Sequence, residues 1–551
     1  MRAPTQVQQR LAPWQAGETA SLPVPPNDQE KLSYCVRERA YLALVIIIGS
    51  VSFDGSQFLI EFKYDLWWLV PYTVISVVYV VLSLAANYTG PNFDHATHRK
   101  RVEAWLPDSY PSVDIHLPIC GEPIQVLRNT WSYVFELMNV YPGYIQAYVL
   151  DDGDSAEARE LAADFGFSYI VRGNRGWMKK AGNLRNAFDQ TQGEFILLLD
   201  ADFTPRQDFL AEVLPYFEDP DVGMVQTPQF FHTTSQQTWV ERSAGAVQEI
   251  FYRFIQVGRD SHAASICVGT CAVYRRAALE AHGGPALIDH SEDMHTGFDL
   301  QASGWKLRYI PVALAAGACP PDLDSFFTQQ YRWCDGSMSF VTARKFWSAK
   351  MSKLGRCCFA SGFYYYAFTV IEMLVSPLIP SLLLIVIPGA IKPINYVSLL
   401  PAIIAGMVLY PLWHRSDYGP STWALGMVRA WAHTFSFWDN LRGRRMGWQV
   451  TGGTGRKSKM HRFWVGLCVW NGGAALAWLG LAAWRSYQYG FGQFWVITGF
   501  GLLYAGIVVQ VLRSYQRKER TQELGVKCSC LTVGSSSPGR PLPWQLQCST
   551  S

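Results

Sequence analysis

Apolar residues crowd the two ends of this chain, before residue 90 and after residue 358, while the middle alternates short apolar runs with polar helical ones. A helix needs about 20 apolar residues to cross a bilayer core. Leu66–Ala86 (LWWLVPYTVISVVYVVLSLAA), Phe463–Trp484 and Phe494–Leu512 meet that length, and Asn395–Trp413 is adequate. Ala360–Ile387 is long and holds Pro377 and Pro380, which predict a kink or a break. Ala40–Phe53 is short and ends at Asp54, so it spans with help from Gly55–Leu59. The pattern predicts six spans, with five or seven as alternatives. Glu372 lies inside the third span and is expected to face protein or a wet path, because a charge at that depth is costly.

Between residues 112 and 310 the period changes. VDIHLPIC is apolar and β-branched, and a helical stretch follows at Ile124–Leu137. IQAYVLDDG ends a strand in acids, SAEARELAADFG follows as a helix, EFILLLDAD repeats the strand-then-acid pattern, and VGMVQTPQF reads as another strand. Such alternation predicts an α/β domain with a largely parallel sheet covered on both faces. Ligands bind such sheets at the carboxyl ends of the strands, where both acidic clusters fall.

Charge sets the orientation. Arg415, Arg429, Arg442, Arg444, Arg445, Arg456, Lys457 and Lys459 crowd residues 414–460, while the opposite loops carry only Lys63, Lys392 and Arg485. By the positive-inside rule the basic loop is cytoplasmic, and parity puts residues 90–358 and both termini on the same side. A net charge of +3 gives no case for a nucleic-acid partner. The 12 cysteines lack the paired CxxC spacing of a zinc site and read as reduced and structural. Residues 1–39 are polar and proline-rich, without a signal-peptide core, and the Ser-, Cys- and Pro-rich tail reads as disordered.

The chemistry sits at the strand ends. Asp200 and Asp202 follow the run FILLL, and two carboxylates one residue apart can share Mg²⁺ or Mn²⁺, completed by phosphate and water. The alternative is a pair of solvated turn acids. Asp151 and Asp152 precede Gly153 and fit either an acidic turn or a nucleotide contact. Lys180, in KKAGNLRNAF, suits a diphosphate at a helix start, although alone the segment would be an ordinary solvated helix. Asp293, in SED, is either a helix cap or a general base for an acceptor hydroxyl. In FTQQYRWCDGS, Arg332 can neutralise phosphate, Trp333 offers a face for a sugar ring and Gln329 can hydrogen-bond; an interfacial helix is the plainer alternative.

Taken in order, LDDGDS, KKAGNLRNA, LDADFTP, VQTPQFF, SEDMHTGFDLQASGWKLRYIP and QQYRW resemble the motifs of processive family 2 glycosyltransferases, and above all bacterial cellulose synthase catalytic subunits, from about Tyr72 to Arg513. The resemblance implies a GT-A-type glycosyltransferase domain inserted in an α-helical membrane domain, a UDP-sugar donor, a divalent metal, inversion at the anomeric carbon and secretion of the growing polysaccharide through the bilayer. It also implies roles: Asp151 and Asp152 for uridine, Lys180 for the diphosphate, Asp200 and Asp202 for metal and diphosphate, Asp293 as base, and Gln329, Arg332 and Trp333 for diphosphate and terminal sugar. GWQVTGGTGRK resembles the family's FxVTxK gating loop through Trp448, Val450 and Thr451, with Gly453 where the lysine is usual and Lys457 as a substitute. Arg513 and Arg517 have the spacing of a cyclic-di-GMP linker, but about 35 residues are too few for the accompanying barrel, so no cyclic-di-GMP domain is expected.

The expected order is a cytosolic segment (1–39), two spans (40–89), the transferase domain (90–338), an interfacial helix (339–358), two spans (359–413), an interfacial helix with gating loop (414–462), two spans (463–513) and a disordered tail (514–551). The expected product is a β-linked glycan, foremost β-1,4-glucan. Mixed-linkage or β-1,3-glucan, hyaluronan, chitin and mannan are alternatives. So, from another class, is a transporter or receptor with a degenerate enzyme domain. An accessory subunit is compatible with all of these, and the expected location is a plasma membrane.

Overall fold

The computed structural model describes residues 22–35, 39–88, 91–443 and 458–533, with backbone alone at 39, 458–461 and 515–533. The middle of the chain builds a seven-stranded sheet from β1 (Val113–Ile119), β2 (Ile145–Asp151), β3 (Ser168–Ile170), β4 (Phe195–Leu198), β6 (Val222–Gln226), β8 (Ala272–Arg275) and β9 (Lys306–Tyr309). The order is β3-β2-β1-β4-β8-β6-β9. A second sheet joins β5 (Thr204–Pro205), β10 (Ala315–Gly317) and β7 (Phe230–Phe231), in the order β5-β10-β7.

Every residue of β1 is buried, as a central strand covered on both faces requires. Its pairing to β2 and β4 is parallel, from Val113 opposite Ile145 and Phe195. The sheet is largely parallel, as expected, with one exception: β8 runs antiparallel to both β4 and β6. It follows a long helical excursion from Trp239 to Asp260, and its four residues are too short for periodicity to reveal. Asp114, buried in β1, is matched by Arg276 at 3.0 Å and by the backbone N–H of Gly193 at 2.6 Å. A buried carboxylate is tolerable only with such partners.

Six helices are long and apolar enough to cross a membrane among the described residues: Ala40–Lys63, Val70–Asn87, Lys353–Val375, Pro393–Trp413, Arg462–Tyr489 and Phe491–Ser514. The spans surround the α/β domain in sequence, as the hydropathy predicts. The first two belong to α1 (Arg39–Lys63) and α2 (Val70–Asn87). The domain itself contributes α3 (Lys179–Phe188), α4 (Glu292–Ala302) and α5 (Leu323–Val341). The predicted break at the proline pair is present: α6 (Lys353–Val375) stops before Pro377, and α7 (Ile379–Val386) begins with Pro380 in its first turn, where the missing N–H costs nothing. Glu372 stays accessible on the surface of α6. Next, α8 (Pro420–Leu441) packs against α5 and α6 and buries Val428, Trp431, Ala432 and His433.

Two stretches differ from the expected plan. Residues 339–358 do not form one helix; they hold the end of α5, a short helix at Arg344–Ser348 and the start of α6. The tail is helical well past residue 514, because α9 (Phe491–Val533) continues through YQRKERTQELGVK, a run of good helix formers. Residues 22–35 cross the α/β domain as a strap. Lys31 pairs with Asp208 at 2.7 Å and with Glu212, Arg206 donates to the Pro26 carbonyl at 2.5 Å, and the N–H of Ala313 donates to the Lys31 carbonyl at 2.9 Å.

Candidate functional site

The parallel strands deliver their acids to one edge. Asp151 closes β2 and is fully buried. Its carboxylate accepts from the N–H groups of Gly153 (2.6 Å) and Ser155 (2.8 Å) and from the Tyr169 hydroxyl. Asp151 therefore shapes the turn. Asp152, partly exposed, is held in a bidentate pair by Arg172 at 2.6 and 2.5 Å. The same guanidinium donates to the carbonyls of Trp177 and Lys179, at 2.6 and 2.9 Å, so it fixes the loop that leads into α3. Gly182 makes room for this: a Cβ there would lie 2.2 Å from an Arg172 nitrogen and 2.3 Å from the Trp177 carbonyl.

Lys180, in the first turn of α3, joins the two halves of the site. Its Nζ lies 2.5 Å from Asp200, 2.7 Å from the Gly269 carbonyl and 4.0 Å from Glu292. Burial works against its charge, but Asp200, Glu292 and Asp293 overcome it and the ammonium is held above its ordinary pKa. Asp200 follows β4, its N–H donating to Thr270 at 2.9 Å. Burial, with Asp200 beside it, pushes the Asp202 carboxyl up to about 7. Two carboxylates one residue apart, one of them raised by burial and by its neighbour, have the donor chemistry for a hard divalent cation. Among the described residues no group of three or more His, Cys, Asp and Glu is arranged for a metal, so phosphate oxygens and water would have to complete such a site.

On the other side, Asp293 stands in the first turn of α4. Its Oδ1 accepts from the N–H of Met294 at 2.8 Å. Burial and then Glu292 raise its carboxyl to about 7, against the opposing pull of Lys180. Gly269 permits the close approach: its φ is +75°, and a Cβ there would sit 2.8 Å from Asp293 Oδ2. Gln329, Arg332 and Trp333 share one face of α5, at i, i+3 and i+4. Arg332 Nε and Gln329 Oε1 are buried with no hydrogen-bond partner among the described residues, and Trp333 is 37% exposed. Burial lowers the Arg332 pKa, while Glu292, Asp200 and Asp293 oppose that shift. The guanidinium therefore faces the same acids as Lys180. Unpaired buried polar atoms beside an open aromatic face are what a ligand-facing surface leaves behind.

The structure thus brings Lys180, Asp200, Asp293 and Arg332 into one electrostatic neighbourhood, with Asp202 beside Asp200. Trp448, Val450 and Thr451 lie outside the described residues. Sequence reading missed Arg172, Glu122 and Gly269. Glu122, whose carboxyl burial raises, feels both Asp200 and Asp151. Its only signal was an acid shortly after a buried strand.

Residues 195–411 match the family described as Glycosyl transferase family group 2. That stretch, about two-fifths of the chain, is similar to a family 2 glycosyltransferase domain. The match begins at β4 of the α/β sheet and reaches into the fourth of the apolar helices of membrane length. Two curated relatives are cellulose synthase catalytic subunits described as UDP-forming. That of Pseudomonas fluorescens is 32% identical over 51% of this chain and 39% of its own length. That of Xanthomonas axonopodis pv. citri is 33% identical over 41% of this chain and 31% of its own length. The chain thus spans about two-fifths or less of these relatives. Among solved structures, a mannosyltransferase from Pyrobaculum calidifontis, in complex with GDP-Man and Mn²⁺, matches with a TM-score of 0.44 and 17% identity, covering 67% of this chain and 98% of its own.

Proposed function

We propose that this chain is a processive, inverting glycosyltransferase that polymerises a β-linked polysaccharide from a UDP-sugar and passes it across the membrane, with β-1,4-glucan from UDP-glucose as the foremost product. The observation that carries this reading is the meeting at Lys180 of the donor-side acid Asp200 with the Glu292–Asp293 turn, on a domain set between membrane-length helices. UDP-forming cellulose synthase relatives support the donor class. Orientation follows from the basic residues of 414–460, which favour a cytosolic catalytic domain in a plasma membrane.

In this mechanism the donor's diphosphate lies against Lys180 and Arg332, with its nucleoside over the Asp151–Asp152 turn. Asp200 and Asp202 would hold Mg²⁺ or Mn²⁺, which when bound offsets charge on the diphosphate. The terminal sugar of the polymer stacks on Trp333 and hydrogen-bonds to Gln329. Asp293 takes the proton from its hydroxyl as that oxygen attacks the anomeric carbon. The bond from that carbon to the diphosphate oxygen breaks, UDP leaves, and configuration inverts. Holding both reactants in line supplies a large share of the rate. Trp448, Val450 and Thr451 are assigned to a loop over the nucleotide, on the family resemblance alone.

Radiolabel transfer from UDP-glucose and UDP-N-acetylglucosamine in membranes containing the protein, followed by linkage analysis, tests the proposal. Alkali-insoluble β-1,4-glucan is expected, and no transfer from any nucleotide sugar would overturn it. A base with a carboxyl near 7 also fixes a pH dependence. Protonated Asp293 cannot accept, so kcat/KM falls about tenfold per unit as pH drops below about 7 and levels off above it. A profile flat from pH 5 to 9 contradicts the base assignment. Trp333→Ala raises the acceptor requirement by about tenfold, while the donor KM stays within about twofold, since stacking contributes roughly 1 kcal/mol or more. Initial rates at varied donor and added oligosaccharide separate the two, and an equal loss in both removes the stacking role.

A further inference from the structure

The stripe that carries Gln329, Arg332 and Trp333 has a fourth member. Gly336 stands at i+7 from Gln329, on the same face of α5, and it is buried. Glycine is disfavoured inside a helix, so its presence mid-helix needs a cause. The cause is Ser291. A Cβ at position 336 would lie 1.7 Å from Ser291 Oγ and 2.5 Å from Ser291 Cβ. Ser291 is itself unusual. Its φ is +54°, a left-handed conformation that serine rarely adopts, and its side chain makes no capping hydrogen bond to α4. Two residues later comes Asp293.

The neighbouring residues bind the same junction. Asp335 is buried, its Oδ1 accepts from Asn440 Nδ2 at 2.6 Å, and its Oδ2 stands 3.4 Å from His290 Nε2. One turn earlier, the Tyr331 hydroxyl donates to Asp439 at 3.0 Å. The segment before the base, the helix bearing the acceptor-side residues and the end of α8 therefore meet around Asp335 and Gly336.

We propose that Gly336 and Ser291 form a steric key that sets the register between Asp293 and the α5 face carrying Gln329, Arg332 and Trp333, making both of them positioning residues for the transfer step. This rests on the transferase reading above. Asp293 belongs to one helix and the stacking face to another. Their separation must match the distance from the bound sugar ring to its reacting hydroxyl, and a small misplacement costs on the order of 10²-fold in rate. The key fixes that separation by contact: any side chain at 336 pushes Ser291, and with it the start of α4, away from α5. Neither residue touches the reacting atoms. His290 and Asp335 hold the same junction from the polar side.

The test is a double-variant cycle on the full chain in membranes: Gly336→Ala, Ser291→Gly and the two combined. UDP-binding stoichiometry counts folded sites, and initial rates give kcat and donor KM per folded site. Gly336→Ala is expected to lower kcat at least tenfold with donor KM within threefold. Ser291→Gly removes both atoms that the new methyl would strike, and glycine accepts the positive φ. The double variant is therefore expected to regain kcat to within threefold of Ser291→Gly alone, a rescue that general destabilisation by alanine would not give. A double variant as impaired as Gly336→Ala, or a Gly336→Ala enzyme with the parent's kcat, overturns the key while leaving the transferase reading intact. A parent that transfers from no nucleotide sugar overturns that reading and the key with it.

Discussion

Asp293→Asn abolishes polymer formation while leaving UDP binding within about twofold of the parent. Asparagine keeps the shape of the side chain and the acceptor for the Met294 N–H, but it cannot take a proton. General-base catalysis contributes about 10²–10⁴-fold, so turnover falls to the lower limit of a radiolabel assay. Donor affinity survives because the cations that face the donor, Lys180 and Arg332, are untouched, and one carboxylate fewer beside Lys180 leaves its pair with Asp200 at 2.5 Å. Titration of UDP alongside incorporation of label checks both halves. Normal synthesis by this variant removes the base from the mechanism, and lost UDP binding makes Asp293 a donor-site residue instead.

Asp202→Asn has the next largest effect. Burial beside Asp200 pushes its carboxyl up to about 7, and a cation bound at the pair would favour its ionised form. Removing one acid takes away one of the two ligands. Turnover is expected to fall on the order of 10²–10³-fold, the equivalent of several kcal/mol of leaving-group stabilisation. The diagnostic readout is binding. In the parent, UDP affinity drops when EDTA removes divalent ions and recovers with Mg²⁺ or Mn²⁺; in the variant it is weak and indifferent to both. A variant whose UDP affinity still responds to Mn²⁺ as the parent's does would take Asp202 out of the metal site.

How much of this was legible in the chain follows from the range of each interaction. The six spans depend only on local length and apolarity, and the break before α7 only on Pro377 and Pro380, so sequence suffices for them. The acids at the ends of β2 and β4 were visible because strand polarity in a parallel sheet decides where they go. What Asp151 and Asp152 do there was not visible. Their partners, Tyr169 and Arg172, lie about 20 residues away with no spacing rule, and only the folded site reveals that both carboxylates are already engaged. The sequence around Lys180 suits a diphosphate, but the lysine's simultaneous reach to Asp200 and Glu292 spans more than 100 residues of chain. Gly336 was hidden for another reason. A glycine after an Arg-Trp pair looks like helix padding until the residue across from it is known. The antiparallel β8 and the long reach of α9 were missed because four residues carry no period and a polar helix carries no stripe.

The strap at residues 22–35 ties the approach to α1 to the α/β domain. It fastens through Lys31 to Asp208 and Glu212, a few positions beyond Asp202, and hydrogen-bonds beside β10 just upstream of α1. The chain is thereby fastened to the α/β domain a few residues before its first membrane-length helix, so the domain is moored at its N-terminal approach as well as through the helices that follow it.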